Sequence, residues 1–266
     1  MFEDGISVDV EGATLFVAEG GRVDGPALLL LHGGLGSRHN LVPLAQHLAA
    51  DYRLIAVDSR GHGRSTLGQA PLSYALLERD IETVIRTLKL EGCSIIGHSD
   101  GGIVGLRLAA SGRVRLSSLV AVGAHWCLPE GDPTREIYTS VTEEEWRGMF
   151  GEHVARYEAE NPMPDFARLF AETRRMWLGS DDTAYPNDRI DRIKCPLLVV
   201  HGDEDFLVSR RQAFELSDRV VDARLLNLPF ASHTVLEDQP EAALPALDAF
   251  LAFVNKQSGS RGSGTS

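Results

Sequence analysis

The sequence predicts an α/β fold in which helices flank a mostly parallel sheet of eight strands. Three observations predict it. Short apolar runs alternate with amphipathic stretches along most of the chain, as expected of strands buried on both faces and covered by helices. The 266 residues, 43% of them hydrophobic, suffice for one sizeable core carrying an insertion. One long segment, from about residue 125 to 192, lacks any strand signal and reads as that insertion.

Taken in order, GISVDV (5–10) and ATLFVAEG (13–20) offer two short strands, an antiparallel start to a mixed sheet. Six buried strands are expected within 27–34, 52–61, 93–99, 116–125, 195–205 and 223–230, each running into a loop. From Tyr74 to Leu90 the apolar Leu77, Ile81, Val84, Ile85 and Leu88 recur at helical spacing, with Glu78, Arg79, Glu82 and Arg86 on the other face. In the strand-free segment, TEEEWRGM (142–149) places Thr142 and Glu145 at capping-box spacing. DFARLFAETRRMWL (165–178) reads as a second helix after a proline-containing break. The expected organisation is a core of 1–124 and 193–256, a helical cap of 125–192 inserted after the sixth strand, and a disordered Gly/Ser-rich tail of 257–266.

A formal net charge of -12 repels polyanions, which argues against nucleic acid and acidic membrane surfaces as partners. The first residues carry acids where an export signal has a basic and an apolar region, and no stretch is apolar for long enough to span a bilayer; a cytoplasmic location is expected. Cys93, Cys127 and Cys195 are odd in number and widely spaced, hence expected to be reduced. No histidines pair at metal-ligand spacing in supporting surroundings, so neither metal nor cofactor is expected. His39, His47, His125 and His153 read as solvated or capping groups. His32, His62, His98 and His201 read as structural hydrogen-bonders.

Two stretches run an apolar strand into a turn holding a histidine and a serine: VDSRGHGRST (57–66) and CSIIGHSDGG (93–102). In the second, Gly97, Ser99 and Gly101 match G-x-S-x-G between a strand and a small-residue helix, GIVGLRLAA. Side chains at those glycines would clash where strand and helix cross. The first stretch has no helix starting at its serine and meets Pro71 soon after; it reads as a loop in which Asp58 and Arg60 fix backbone turns. A serine hydroxyl is a poor nucleophile near neutral pH and needs a positioned base and an orienting acid. Strand ends offer Asp203 and Asp205 in HGDEDFLV, and His233 in ASHTVLEDQP. A developing oxyanion would draw on the N–H of Asp100, next to the serine, and on one in the glycine-rich HGGLGS (32–37).

Together, His32 with Gly33, the D-x-R-G-x-G-x-S turn of Asp58 to Ser65, Gly97 to Gly101, Gly202 to Val208 and His233 resemble the motif set of the α/β-hydrolases, over the chain up to about Asn255. The order Ser, Asp, His agrees. The resemblance implies a triad of Ser99, Asp205 and His233, with Asp203 as the alternative acid, and Gly34 as the second oxyanion donor beside Asp100. Within that family, SDGGI, the LGS of the oxyanion loop and a helical cap of this size resemble the valacyclovirase-like (biphenyl hydrolase-like) serine esterases. That resemblance implies hydrolysis of small carboxylic esters, amides or lactones, α-amino-acid esters among them, with the Asp100 carboxylate on a substrate ammonium. Gly34 has no side chain to shape a pocket, so substrate size does not carry over. Asp100, Trp126, Trp177 and Phe206 are the candidate substrate-binding residues, set against the reading in which Asp100 opens a helix and the cap aromatics form the cap's own core. Ser99 argues against the dehalogenases and epoxide hydrolases of this fold, which use an acid nucleophile. A receptor-like binding protein with little turnover, a cofactor-free perhydrolase and a carbon–carbon bond hydrolase stay open as alternatives.

Overall fold

Successive residues of the central strands serve two separate cores. In β5 (Ser94–His98), Ile95 joins one apolar cluster and Ile96 the other. The structure, a computed structural model, describes residues 1–262 and the side chains of residues 1–257. The other strands are β1 (Ile6–Val10), β2 (Ala13–Gly21), β3 (Ala27–Leu31), β4 (Arg53–Val57), β6 (Ser118–Val122), β7 (Leu197–Gly202) and β8 (Ala223–Leu228). They form one sheet in the order β1-β2-β4-β3-β5-β6-β7-β8, in which β2 is antiparallel to both neighbours and all other pairs are parallel. The eight-stranded, mostly parallel sheet and its antiparallel start are thus as the sequence predicts.

Helices α2 (Tyr74–Thr87), α3 (Asp100–Ser111) and α8 (Arg210–Arg219) cover one face through Ile81, Leu106 and Leu216. Helices α1 (Val42–Leu48) and α10 (Pro240–Gly262), the latter following the one-turn α9 (Val235–Asp238), cover the other through Ala45, Leu247 and Phe250. Ser73 starts α2 by accepting the Leu76 N–H at 3.2 Å, and Lys89, with φ 54°, turns the chain away after it, so the helix ends three residues before Leu90. The α10 helix runs through Gly262, so the tail expected to lack structure, 257–266, lies partly on a helix and partly, from 263, outside the described residues.

Between β6 and β7 stand four α-helices where two were legible, α4 (Thr134–Ser140), α5 (Glu143–Met149), α6 (Gly151–Glu160) and α7 (Phe166–Trp177), followed by a short 3-10 helix, Asn187–Arg192. Thr142 and Glu145 close the capping box of α5, the N–H of Glu145 donating to Thr142 Oγ1 at 3.2 Å and that of Thr142 to Glu145 Oε2 at 2.9 Å. The α4 and α6 helices each bury only two side chains, which leaves little apolar periodicity to read. Asn161, just after α6, ties this layer to the core by donating to the carbonyls of Gly63 and Ser65 at 2.8 and 2.9 Å.

Candidate active site

Ser99 sits alone between β5 and α3 with φ 51° and ψ -116°, a conformation that costs a non-glycine residue about 1–3 kcal/mol. The surroundings impose it. Its N–H donates to the Val122 carbonyl at 2.8 Å, its own carbonyl accepts from Ile103 at 3.0 Å, and the Gly101 N–H donates to the His32 carbonyl at 3.1 Å. A side chain at Gly101 would strike the main chain of Leu31, so the turn is closed by glycine. The strained turn lifts Ser99 to a half-buried position at the ends of β3, β5 and β6.

His233 Nδ1–H donates to Asp205 Oδ2 at 2.9 Å, which leaves Nε2 on the far side of the ring clear of that bond. Asp205 is fixed by the N–H groups of Leu207 and Val208, 2.8 and 3.0 Å from Oδ1. Burial raises the Asp205 carboxyl, but the hydrogen bond and charge of His233 outweigh it, and the net shift is downward. The ring of His233 packs on Gly123, where an added Cβ would come within 3.1 Å of its Cε1 and Nδ1. Gly123 follows Val122, the residue that holds the Ser99 N–H, so the His233 ring packs one residue from the contact that fixes Ser99. Among the described residues no hydrogen bond joins the Ser99 hydroxyl to His233, a link that in ligand-free sites often tightens only with substrate. Asp203 faces elsewhere, pairing with Arg210 at 2.6 Å and accepting from Asn227 at 2.8 Å.

The loop after β3 is held from below by the VDSRGHGRST stretch. His62 Nε2 accepts the Leu35 N–H at 3.1 Å, which requires its Nδ1–H to donate to the Arg60 carbonyl at 2.9 Å. His32 Nε2 accepts the Ser59 N–H at 2.9 Å. Asp58 accepts from both the N–H and the guanidinium of Arg38, at 2.8 and 2.7 Å. Burial drives His32 down to about 4 and His62 to about 3, so both rings are neutral and these donor and acceptor roles hold. Arg60 pairs with Asp80 at 2.7 Å rather than fixing its own turn. With the loop so braced, the N–H groups of Gly34 and Asp100 have no acceptor among the described residues.

Asp100 is buried under the cap. Tyr74 donates to its Oδ1 at 2.7 Å, and Trp177 Nε1–H lies 3.0 Å from both oxygens. Burial pushes its pKa up, and the two donors oppose that. No cation of the chain pairs with it among the described residues. Trp177 in turn stacks on Tyr138 with centroids 4.8 Å apart. The other two aromatic candidates lie away from this cluster. Trp126 donates to the Gln212 carbonyl at 3.2 Å under the guanidinium of Arg219, and Phe206 is 67% exposed. Gly33 and Gly34 also line a cavity of about 420 Å³, together with His98, Val122 and, from the cap, Trp146 and Phe150; Ser99, Asp100 and His233 are not among its lining residues.

Three contributors were not legible as site residues: Tyr74, Gly123 and Asn161; His62, expected to be a structural hydrogen-bonder, braces the loop in that role. Only Gly123 carried a local signal, as the glycine that ends a predicted strand. His125, expected to be solvated or capping, is instead buried, with Nδ1 3.0 Å from Gln212 Oε1, because the chain after β6 turns inward beneath the cap. His98 is also a brace: its Nε2–H donates to the His233 carbonyl at 3.0 Å, and burial lowers it to about 4. Among the described residues no cluster of His, Cys, Asp or Glu is arranged to hold a metal ion, and no helix is long and apolar enough to cross a membrane.

The chain is similar to several known hydrolases. Serine hydrolase BPHL of Homo sapiens is 28% identical over 244 residues, 86% of this chain and 79% of that one. The pimeloyl-[acyl-carrier protein] methyl ester esterase of Aeromonas hydrophila is 29% identical over 255 residues, 85% of this chain and 96% of that one. The crystal structure of E-2-(acetamidomethylene)succinate hydrolase superposes with a TM-score of 0.75 at 25% identity, covering 94% of this chain and 99% of that one. The alpha/beta hydrolase family model matches residues 28–246. With that match over most of its length, and with the sheet order and serine turn described above, the chain belongs to the alpha/beta hydrolase family and is a hydrolase.

Proposed function

We propose that this hydrolase cleaves small carboxylic esters through an acyl-enzyme on Ser99. One observation carries the reading: the His233–Asp205 pair packs across Gly123 from a strained serine, beside two unclaimed N–H groups. Ser99 Oγ attacks the carbonyl carbon as its proton passes to His233 Nε2, and the carbonyl oxygen becomes an oxyanion held by the N–H groups of Gly34 and Asp100. Collapse breaks the bond to the leaving oxygen, which takes the proton from His233. Water then repeats the sequence, releasing the acid and restoring Ser99. Asp205 keeps the His233 proton on Nδ1 and stabilises the imidazolium that forms. Amides and lactones fit the same steps.

The Asp100 carboxylate is already satisfied by Tyr74 and Trp177 and starts a helix, where the dipole favours an anion. That supports a neutral ester and gives Asp100 the task of tying α7 of the cap to α2 of the core. The second reading, an α-amino ester whose ammonium meets Asp100, has in its favour a buried carboxylate with no salt-bridge partner among the described residues. The test of the main proposal is treatment with a fluorophosphonate followed by peptide mapping. The adduct is expected on Ser99, and Ser99→Ala should be folded, unlabelled and nearly inactive on p-nitrophenyl acetate. An adduct on another residue sinks the assignment. A labelled wild type that does not turn over any ester of a broad panel supports a receptor-like binder instead.

A further inference from the structure

The two sides of the oxyanion loop are unequal. On the Asp100 side the protein fills the space: a Cβ added to Gly34 would lie 2.6 Å from Asp100 Oδ2 and 2.6 Å from Trp177 Cζ2. The same Gly33 and Gly34 also form a wall of the 420 Å³ cavity, whose lining does not include Asp100 or Trp177. That volume lies at the lower end of the range for small-molecule pockets. Whatever extends from a carbonyl held at Gly34 therefore has room in one direction.

Burial gives the cavity a depth. Leu41, Leu44, Ile96 and Val122 are buried and form its floor, while Phe150, His153 and Glu237 are exposed and mark its mouth. The floor residues carry no charge. Of the buried and half-buried polar side chains that line the cavity, His32 and His98 are neutral with their ring N–H groups spent on the Gly33 carbonyl, at 2.7 Å, and on the His233 carbonyl, Thr234 donates to Asp238 at 3.3 Å, and Asn40 accepts the Ser37 N–H at 2.9 Å. A charged group placed there would be desolvated without a partner, whereas methylene groups would leave water for an apolar wall.

We infer that this cavity receives an uncharged hydrocarbon arm of the substrate, so the favoured esters carry an extended alkyl chain on one side of the scissile bond. The inference rests on the serine-ester reading above. Two sources supply such an arm, the acyl chain or the alcohol, and a series of each separates them. Burying a methylene group corresponds to about a fourfold gain in kcat/KM per added carbon until the cavity is full.

The experiment measures kcat/KM for p-nitrophenyl esters from acetate to octanoate and for acetate esters from methyl to octyl alcohol. One series is expected to climb. Leu44 and Leu244 both line the cavity; Leu44→Trp and Leu244→Trp, each adding bulk there, are expected to lower the octyl-to-short ratio in that series by roughly tenfold or more, which corresponds to about two buried methylenes. Flat series in both directions, with Ser99 still labelled by a fluorophosphonate, overturn the inference and leave the hydrolase reading standing. If Ser99 is not labelled, that reading falls and calorimetry decides the cavity. Octan-1-ol binding that exceeds ethanol binding in the wild type and is lost in Leu244→Trp supports it, and equal binding of the two alcohols overturns it.

Discussion

The imidazole Nε2 of His62 accepts the main-chain N–H of Leu35 at 3.1 Å, across 27 residues of sequence. Leu35 has φ 56°, a strained conformation next to Gly34, whose N–H is unclaimed. The histidine therefore holds a loop whose placement decides whether a donor reaches the oxyanion. His62→Leu leaves the Leu35 N–H without an acceptor and is expected to lower kcat by about 10- to 100-fold with KM changed by about threefold at most. His62→Gln, which can offer an oxygen, should recover part of the loss. A variant that only melts earlier, with kcat intact, would make His62 a stabilising residue and nothing more.

The choice between the two acids is measurable. Asp205→Asn is expected to lose about 10⁴ in kcat, because a neutral partner no longer holds His233 in its useful tautomer. Asp203→Asn breaks only the partly exposed pairing with Arg210 and should cost less than about threefold. The opposite ranking would hand the role to Asp203.

Asp100 separates the neutral from the cationic substrate. An α-amino ester and its des-amino analogue with the same leaving group are expected to agree within about threefold in kcat/KM, while Asp100→Asn should lower Tm by loosening the contact of Trp177 and Tyr74 with α3. A wild-type preference of roughly ten- to a hundredfold for the amino ester, erased in Asp100→Asn, corresponds to a charged hydrogen bond of about 1.5–3 kcal/mol and would assign the carboxylate to substrate.

Stability should fall with acidification well before the carboxylates titrate. Burial lowers His32 to about 4, His62 to about 3 and His98 to about 4, from an ordinary value of 6.5. The folded chain thus binds fewer protons on these rings than the unfolded chain does. Their contribution is complete above pH 6.5 and is lost as the pH drops through the interval down to about 4. Within it each ring adds about 1.4 kcal/mol per pH unit to the slope of the unfolding free energy. Asp80 and Asp100, both raised by burial, act in the opposite sense. Urea melts between pH 6.5 and 4.5 should show the loss, with a shallower slope by one ring's share in His62→Gln. Equal slopes in the two proteins would mean that His62 stays protonatable when folded.

What the sequence by itself determined follows from local order and hydrophobic pattern. Runs such as ALLLL and SLVAV are apolar at every second residue on both faces, which admits only a sheet covered twice. The elbow was legible because strand, serine, glycine and helix are contiguous, so the strain of Ser99 is built by its sequence neighbours and by the strands beside it. The tertiary structure alone decided which distant groups meet there. Asp203 and Asp205 are two residues apart and chemically alike, yet only Asp205 reaches His233, because the turn after β7 aims them in different directions. Trp126 and Trp177 were equal candidates, and the helix that ends in Trp177 lands on Asp100, 77 residues earlier, while Trp126 is drawn under Arg219. Tyr74, 26 residues before Asp100, looks in sequence like any first residue of an amphipathic helix. These partners share no spacing or composition that a local pattern could carry; they are selected by the packing of cap on core, where a buried donor must find an acceptor or the arrangement is lost.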